Sequence, residues 1–289
     1  MRDDVAWQEG ERPSVTELED RAFELRSKLL HLCGTYEGAV HIGGDLSAAD
    51  IFTALFHYGL RVDPHDISNP HRDRFLLSKG HAAVCMYIAM SMRGFFSYDG
   101  IVETYGKLDS AYGMHPCKVQ LPGVEASTGS LGHGLPIAVG MALSGRYRGD
   151  AHRVVCLLGD GSFQFGLPAL WTAARSGIPV TFVVLNNRTY SAVASALSRF
   201  GGAAAEQDRW PGTDIAGLDI AAAARAFGVP AERVPGVADL PRALSAALAT
   251  SGPAVVEVLT GPSAPSAPSP STQTAVDPAA APEGGGQAW

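Results

Sequence analysis

Two short polar clusters carry the residue types that could do chemistry. Gly159-Asp160-Gly161-Ser162 follows the apolar run 153–158, and Asn186-Asn187-Arg188-Thr189 follows the apolar run 180–185. Continuous apolar runs of this length read as strands buried on both faces. A helix-forming stretch, 168–176, lies between them. Both clusters are therefore expected at the carboxyl ends of parallel strands, on the sheet edge where open α/β sheets take their ligands. Asp160 offers a carboxylate, Asn187 a side-chain amide oxygen, and a neighbouring backbone carbonyl a third hard oxygen. A donor set without imidazole or thiolate suits Mg²⁺, which completes its octahedron with water and phosphate oxygens. Gly161 lets the backbone approach closely, while Ser162 and the amides of the following helix start face an anion. Together they read as an anchor for a Mg²⁺-bound diphosphate.

These clusters need a scaffold, and the chain supplies an alternating one. Past residue 150 the runs 153–158, 180–185 and 254–259 are interleaved with helical stretches at 168–176, 219–227 and 238–250. Strand–helix–strand alternation implies right-handed crossovers, so the expected fold is α/β, a doubly wound parallel sheet with helices on both faces. Upstream, residues 16–33 have apolar positions at helical spacing, and helices are expected over 78–92 and 131–146. Asp45 to Asp50 reads as a helix start, with Ser47 as N-cap and Asp50 where a capping box places its acidic partner. The organisation expected is a flexible stretch 1–14, one folded domain 15–260 and a disordered tail 261–289. That tail contains six Pro, seven Ala, four Ser and four Gly, and such a composition buries too little apolar area to offset ordering entropy.

Composition excludes several classes. With 22 basic against 29 acidic residues the formal charge is −7, and no Lys/Arg cluster offsets it, so phosphate-driven nucleic-acid binding is not expected. The longest apolar run, 178–185, is far too short to span a bilayer, and the acidic N-terminus lacks the pattern of a signal peptide. Cys33, Cys85, Cys117 and Cys156 show no CxxC spacing, which points to reduced thiols in a cytoplasmic protein. The glycine-rich stretch from Gly129 to Gly134 has the order G-x-x-G-x-G, which does not match the dinucleotide fingerprint.

The spacing of GDG, about two dozen residues, then Asn-Asn is similar to the thiamine diphosphate fingerprint. Further fragments extend the resemblance: His41-Ile-Gly-Gly-Asp-Leu-Ser-Ala-Ala-Asp, Asp73-Arg-Phe-Leu-Leu-Ser-Lys-Gly-His81, and Gly129-Ser-Leu-Gly-His-Gly134 leading into Ala138-Val-Gly-Met-Ala. In this order they resemble the N-terminal, diphosphate-binding (PP) half of a transketolase. The resemblance implies that Asp160, Asn187 and the carbonyl of Thr189 ligate Mg²⁺. It implies that Gly159, Gly161, Ser162 and Asn187, with the Gly129-Ser130-Leu131 backbone, bind thiamine diphosphate. It also places His41, His81 and His115 around the donor's hydroxyls and the reacting carbon, where imidazoles move protons. His133 stands where the family often has Gln.

The family generates its reactive cofactor with a glutamate from a pyrimidine-binding domain that this sequence lacks. The resemblance thus implies a partner subunit carrying that domain and its catalytic Glu. Symmetric pairing then favours a heterotetramer. The expected reaction is transfer of a two-carbon ketol unit from a ketose or 2-oxo acid donor to an acceptor. The second half departs from transketolases: Ser162 follows GDG where Glu is usual, and the surroundings of Trp171 and Tyr190 look closer to thiamine-dependent 2-oxo acid decarboxylases and acyl-transferring synthases. A split decarboxylase or synthase is therefore the alternative, and a non-catalytic cofactor-binding subunit the second.

Overall fold

A computed structural model describes residues 12–261. The expectations for residues 1–11 and 262–289 lie outside the described residues. The first helix, α1 (Val15–Thr35), starts where Ser14 and Glu17 form a reciprocal cap: the Ser14 hydroxyl accepts from the Glu17 amide at 3.3 Å and the Glu17 carboxylate from the Ser14 amide at 2.7 Å. Leu18, Ala22, Leu25, Leu29 and Leu32 recur every three or four residues and form its buried stripe. Two short helices follow, α2 (Ile42–Leu46) and α3 (Ala49–Ala54), the latter running into a π turn at Leu55–Gly59. The first strand is β1 (Arg74–Leu77), followed by a 3₁₀ turn at Gly80–Ala82, α4 (Ala83–Met92), α5 (Tyr98–Thr104) and α6 (Gly134–Arg148).

The alternating half begins at β2 (Val154–Gly159), passes the single turn α7 (Asp160–Phe163) and α8 (Pro168–Arg175), and reaches β3 (Val180–Asn186). Residues 190–214 form a separate unit with α9 (Ser191–Phe200) and α10 (Ala203–Glu206), its ends joined by the Tyr190 amide donating to the Thr213 carbonyl at 2.8 Å. The main unit resumes with α11 (Ile220–Ala226), β4 (Ala231–Val234), α12 (Leu240–Leu248) and β5 (Ala254–Leu259).

All strand pairs are parallel, in the order β1-β2-β3-β5-β4. Because side chains alternate along a strand, each strand feeds two cores. Phe75, Leu77, Val155, Leu157, Val183 and Leu185 face one, with residues of α1, α3, α4 and α12. Leu76, Val154, Cys156, Leu158, Phe182 and Val184 face the other, with residues of α6, α8 and α11. The doubly wound sheet with helices on both faces is thus the fold the alternation implied. All four cysteines are free thiols, and no helix among the described residues is long and apolar enough to cross a membrane.

Two buried carboxylates tie the sheet together. At its amino edge Asp73 receives Arg61 (3.0 Å) and Arg153; burial alone would raise its pKa, but the two guanidiniums hold it below the ordinary value. Inside β5, Glu257 accepts the Asn186 side-chain amide at 2.7 Å, the Ala221 amide at 3.1 Å and Arg233 Nε at 3.0 Å. A third titratable group, His57 on the π turn, is 6% exposed and accepts from Arg21 at Nδ1 (3.0 Å). Burial, with Arg21 and Arg93 nearby, pushes its imidazole down from 6.5 to about 4. A depressed histidine stabilises the fold above its unfolded value and loses that contribution as pH falls through its folded value. Stability is expected to drop by about 3 kcal/mol between pH 6.5 and 4 from this group. Chemical denaturation of wild type and His57→Gln across that range checks it: the difference between the two curves must shrink toward acid pH, and parallel curves would dismiss the assignment.

Ser47 does not cap a helix start. It closes α2 at its C-terminal end, its hydroxyl donating to the Gly44 carbonyl at 3.0 Å, and α3 begins behind Ala48 without a side-chain cap. The reason lies 32 residues further on, where Lys79 Nζ donates to the same hydroxyl at 2.8 Å. Strands β1 and β4, not foreseen as strands, complete the sheet.

Candidate active site

The register of β2 against β3 pairs Gly159 with Leu185, so GDG and Asn186-Asn187 leave the same carboxyl edge side by side. Asp160 is buried, 6% exposed, and both carboxylate oxygens are aimed by the backbone: Oδ1 accepts from the Gly161 amide at 2.8 Å and Oδ2 from the Arg188 amide at 2.7 Å. Burial raises the Asp160 pKa; the Gly161, Arg188 and Asn187 amides and the Lys79 charge oppose that rise. Arg188 sits in the left-handed region at φ 64°, an uncommon conformation for a residue with a side chain. It turns the loop so that the Asn187 side-chain oxygen accepts the Thr189 amide at 3.1 Å, and the Ile215 amide secures the loop by donating to the Arg188 carbonyl at 3.0 Å. Asn186 Oδ1 takes the Arg188 amide too, at 3.0 Å, while its amide end is held by Glu257. Asp160, Asn187 and Thr189 are therefore brought together, and their donor set of carboxylate, amide and backbone oxygens fits a Mg²⁺ ion.

Ser162, 6% exposed, turns its hydroxyl back to Gly159, donating to the carbonyl at 2.9 Å and accepting from the amide at 3.2 Å. It fixes the strand-to-helix turn. The Gly129–Gly134 loop lies directly against that turn. A Cβ on Gly132, whose φ is +81°, would stand 2.6 Å from Phe165 Cβ and 3.0 Å from the Ser162 carbonyl oxygen. The Thr128 hydroxyl ties the loop to the carboxyl end of β1, donating to the Leu77 carbonyl at 2.6 Å. Ser130 and His133 are exposed and pair with each other at 3.0 Å.

His41, His81 and His115, far apart in sequence, converge. Ring centroids are 4.8 Å apart for His41–His81, 4.7 Å for His81–His115 and 6.3 Å for His41–His115. Backbone contacts set this spacing. His81 follows Gly80, where a Cβ would lie 2.8 Å from the Gly129 nitrogen; a Cβ on Gly129 would in turn meet the His115 ring at 3.2 Å. The buried Tyr87 hydroxyl also holds the His115 loop, at 3.0 Å from the His115 carbonyl and 3.1 Å from that of Gly113. Burial and the neighbouring His115 lower the pKa of His41; burial, then His115, His41 and Lys79, lowers that of His81. Both are neutral bases at neutral pH.

Two residues of the quoted motifs acquire roles that the sequence did not assign. Asp45, fully buried, accepts the Cys85 amide at 3.0 Å near the start of α4, and its Oδ2 has no hydrogen-bond partner. Burial pushes it up to about 7, against the Cys85 amide and Lys79. Lys79 donates to the Gly44 carbonyl at 3.0 Å and to Ser47, and burial brings it down to about 8 despite Asp45, Cys85 and Asp160. Lys79 thus bolts the His41 segment to the His81 segment. The sign in the sequence was a cation immediately before Gly-His, in a motif whose one acid, Asp73, lies at the far end of β1 and is taken by Arg61 and Arg153.

Two family descriptions match the chain. The thiamine pyrophosphate enzyme, C-terminal TPP binding domain covers residues 110–258, just over half of the chain, and the transketolase, thiamine diphosphate binding domain covers residues 35–168. One subunit of the apulose-4-phosphate transketolase of Actinobacillus succinogenes is 40% identical over 56% of this chain and 57% of the relative. Human transketolase is 40% identical over 54% of this chain and 24% of its own. Transketolase from Campylobacter jejuni superposes with a TM-score of 0.73 at 22% identity, over 86% of this chain and 38% of that one. The chain spans about half the length of the curated relatives it matches first. Both family matches take in GDG, and the loops they cover meet at one sheet edge; the chain belongs to the thiamine diphosphate-binding enzymes and is transketolase-like in sequence and fold.

Proposed function

We propose that this chain is the diphosphate-binding subunit of a two-component, cytoplasmic transketolase-like transferase that passes a two-carbon ketol unit from a ketose or 2-oxo acid donor to an acceptor. The observation that carries the reading is the meeting, on one sheet edge, of a hard-oxygen donor set with three clustered imidazoles. Asp160, the Asn187 side chain and the Thr189 carbonyl would hold Mg²⁺, and Gly159, Gly161 and the Gly129-Ser130-Leu131 backbone would border the diphosphate. Ser162 acts by shaping the turn. When bound, thiamine diphosphate supplies the carbon nucleophile. His41 and His81, kept neutral by burial, accept protons from donor hydroxyls at their ring nitrogens, and His115 completes the polar wall. The pyrimidine-binding domain and its catalytic Glu would come from a partner subunit in a heterotetramer; the Actinobacillus relative is itself named as one subunit of its enzyme.

The test is ketol transfer from hydroxypyruvate with Mg²⁺ and thiamine diphosphate, by this chain alone and mixed with a candidate partner bearing the pyrimidine half. Activity only in the mixture is expected, with His81→Ala lowering kcat by at least about 100-fold, the range of a lost general base. Full activity from this chain alone would overturn the two-component reading. Decarboxylation of pyruvate with no ketol transfer would favour the second reading, a split 2-oxo acid decarboxylase or synthase. That reading draws on the thiamine pyrophosphate enzyme match across residues 110–258. The care with which the backbone aims both Asp160 oxygens speaks against a non-catalytic role.

A further inference from the structure

His41, His81 and His115 bring ring nitrogens within 4.8 Å of one another. Each ring is placed by something other than its neighbours: His41 by the start of α2, His81 by the Gly80 approach to Gly129, and His115 by Gly129 and Tyr87. Three imidazoles set edge to face, with their nitrogens converging, have more use for a cation than for one another. Lys79, the nearby cation, directs its ammonium away, to the Gly44 carbonyl and the Ser47 hydroxyl.

We infer that the three histidines form a second metal site, chemically distinct from the oxygen-lined one, that binds a borderline divalent ion such as Zn²⁺ through three ring nitrogens with water in the open position. Imidazole donors select Zn²⁺, Co²⁺, Ni²⁺ or Cu²⁺ and are poor ligands for Mg²⁺, so the two sites sort ions by donor chemistry. A tetrahedral ion with metal–nitrogen bonds of about 2.1 Å sets its ligands roughly 3.4 Å apart. The widest pair has to close by about 1.4 Å, a distance that rotation of the rings about their side-chain torsions supplies. If the proposed ketol transfer holds, an ion here would sit where the donor is handled, and zinc would inhibit by exclusion; the site itself does not rest on that reading.

The experiment is a Co²⁺ titration of the full-length, chelator-treated chain, without thiamine diphosphate or Mg²⁺, followed by visible absorption. A saturable band of four-coordinate intensity, displaced by Zn²⁺, is expected. His81→Ala and His115→Ala should each weaken binding by at least about tenfold, since even outer-shell partners of a metal ligand are worth that much. Asp160→Ala and His133→Ala should leave the band unchanged. Should His81→Ala fail to fold, the exposed His115 carries the test. A band that survives both histidine variants, or one lost only in Asp160→Ala, would overturn the assignment, and no substrate enters the measurement.

Discussion

Asp160→Ala is expected to abolish Mg²⁺-dependent binding of thiamine diphosphate, by at least about 100-fold in affinity, because loss even of a partner outside the ligand shell costs 10–100-fold. The side chain does two things at once. It presents the anionic oxygen of the proposed ion site, and it accepts the Gly161 and Arg188 amides that shape the two loops. Removing it strands both donors in a buried setting, at about 1–3 kcal/mol each. Asp160→Asn separates the two roles: an amide oxygen still accepts one backbone N–H, yet no longer carries the charge. Calorimetric titration with thiamine diphosphate, with and without Mg²⁺, should show both variants weakened, and thermal melts should show the Asn variant nearer to wild type. Unchanged affinity in Asp160→Ala would dismiss the metal assignment.

Gly80→Ala is expected to damage stability and site together. The added methyl would run into the Thr128–Gly129 peptide, 2.8 Å from the Gly129 nitrogen and 3.0 Å from the Thr128 carbonyl carbon. Backbone cannot step aside as a flexible side-chain end can, so the overpacking cost is about 1–3 kcal/mol or more, several degrees in Tm for a domain of this size. The relaxation that relieves it moves the residues carrying His81 and His115 apart, because Gly129 rests on the His115 ring. Ketol transfer should fall at least about tenfold, with thiamine diphosphate affinity reduced as well. Gly217→Ala, where a Cβ meets nothing within 4 Å, is the control and should keep its Tm. Equal melting of the two variants would mean the Gly80–Gly129 approach has slack.

Much of this was legible in advance. β2, β3 and β5 announce themselves as mostly apolar runs, broken inside only by Thr181 and Glu257, because both faces of a central parallel strand are covered, and the polar residues after β2 and β3 mark the edge that binds. β4 was not legible: Ala231-Glu-Arg-Val234 is an outer strand with a charged, largely uncovered surface, and its partner β5 arrives twenty residues later. β1 hides for a different reason, being four residues long and continuous with the Ser78-Lys-Gly-His81 motif. At the site, the Asp160–Asn187 pairing follows from topology alone. The histidine trio does not: its members lie 40 and 34 residues apart in sequence and are gathered by contacts among glycine backbones, which no periodicity records. Asp45 misleads in the same way. The stretch from Asp45 to Asp50 reads only as a helix start, while the Asp45 carboxylate is fully buried against the Cys85 amide.

The Glu257 network also sets an order of events during synthesis. β5 lies between β3 and β4, so β3 remains an outer strand until the last strand of the sheet has left the ribosome. The carboxylate that grips Asn186 is 71 residues downstream of it, and closing that span is a loop-entropy cost met only when β5 docks. Until then the turn from Asn186 to Thr189 has its Asp160 and Ile215 contacts but lacks the Glu257 grip on Asn186, so the edge that carries GDG is completed by the strand farthest from it in sequence.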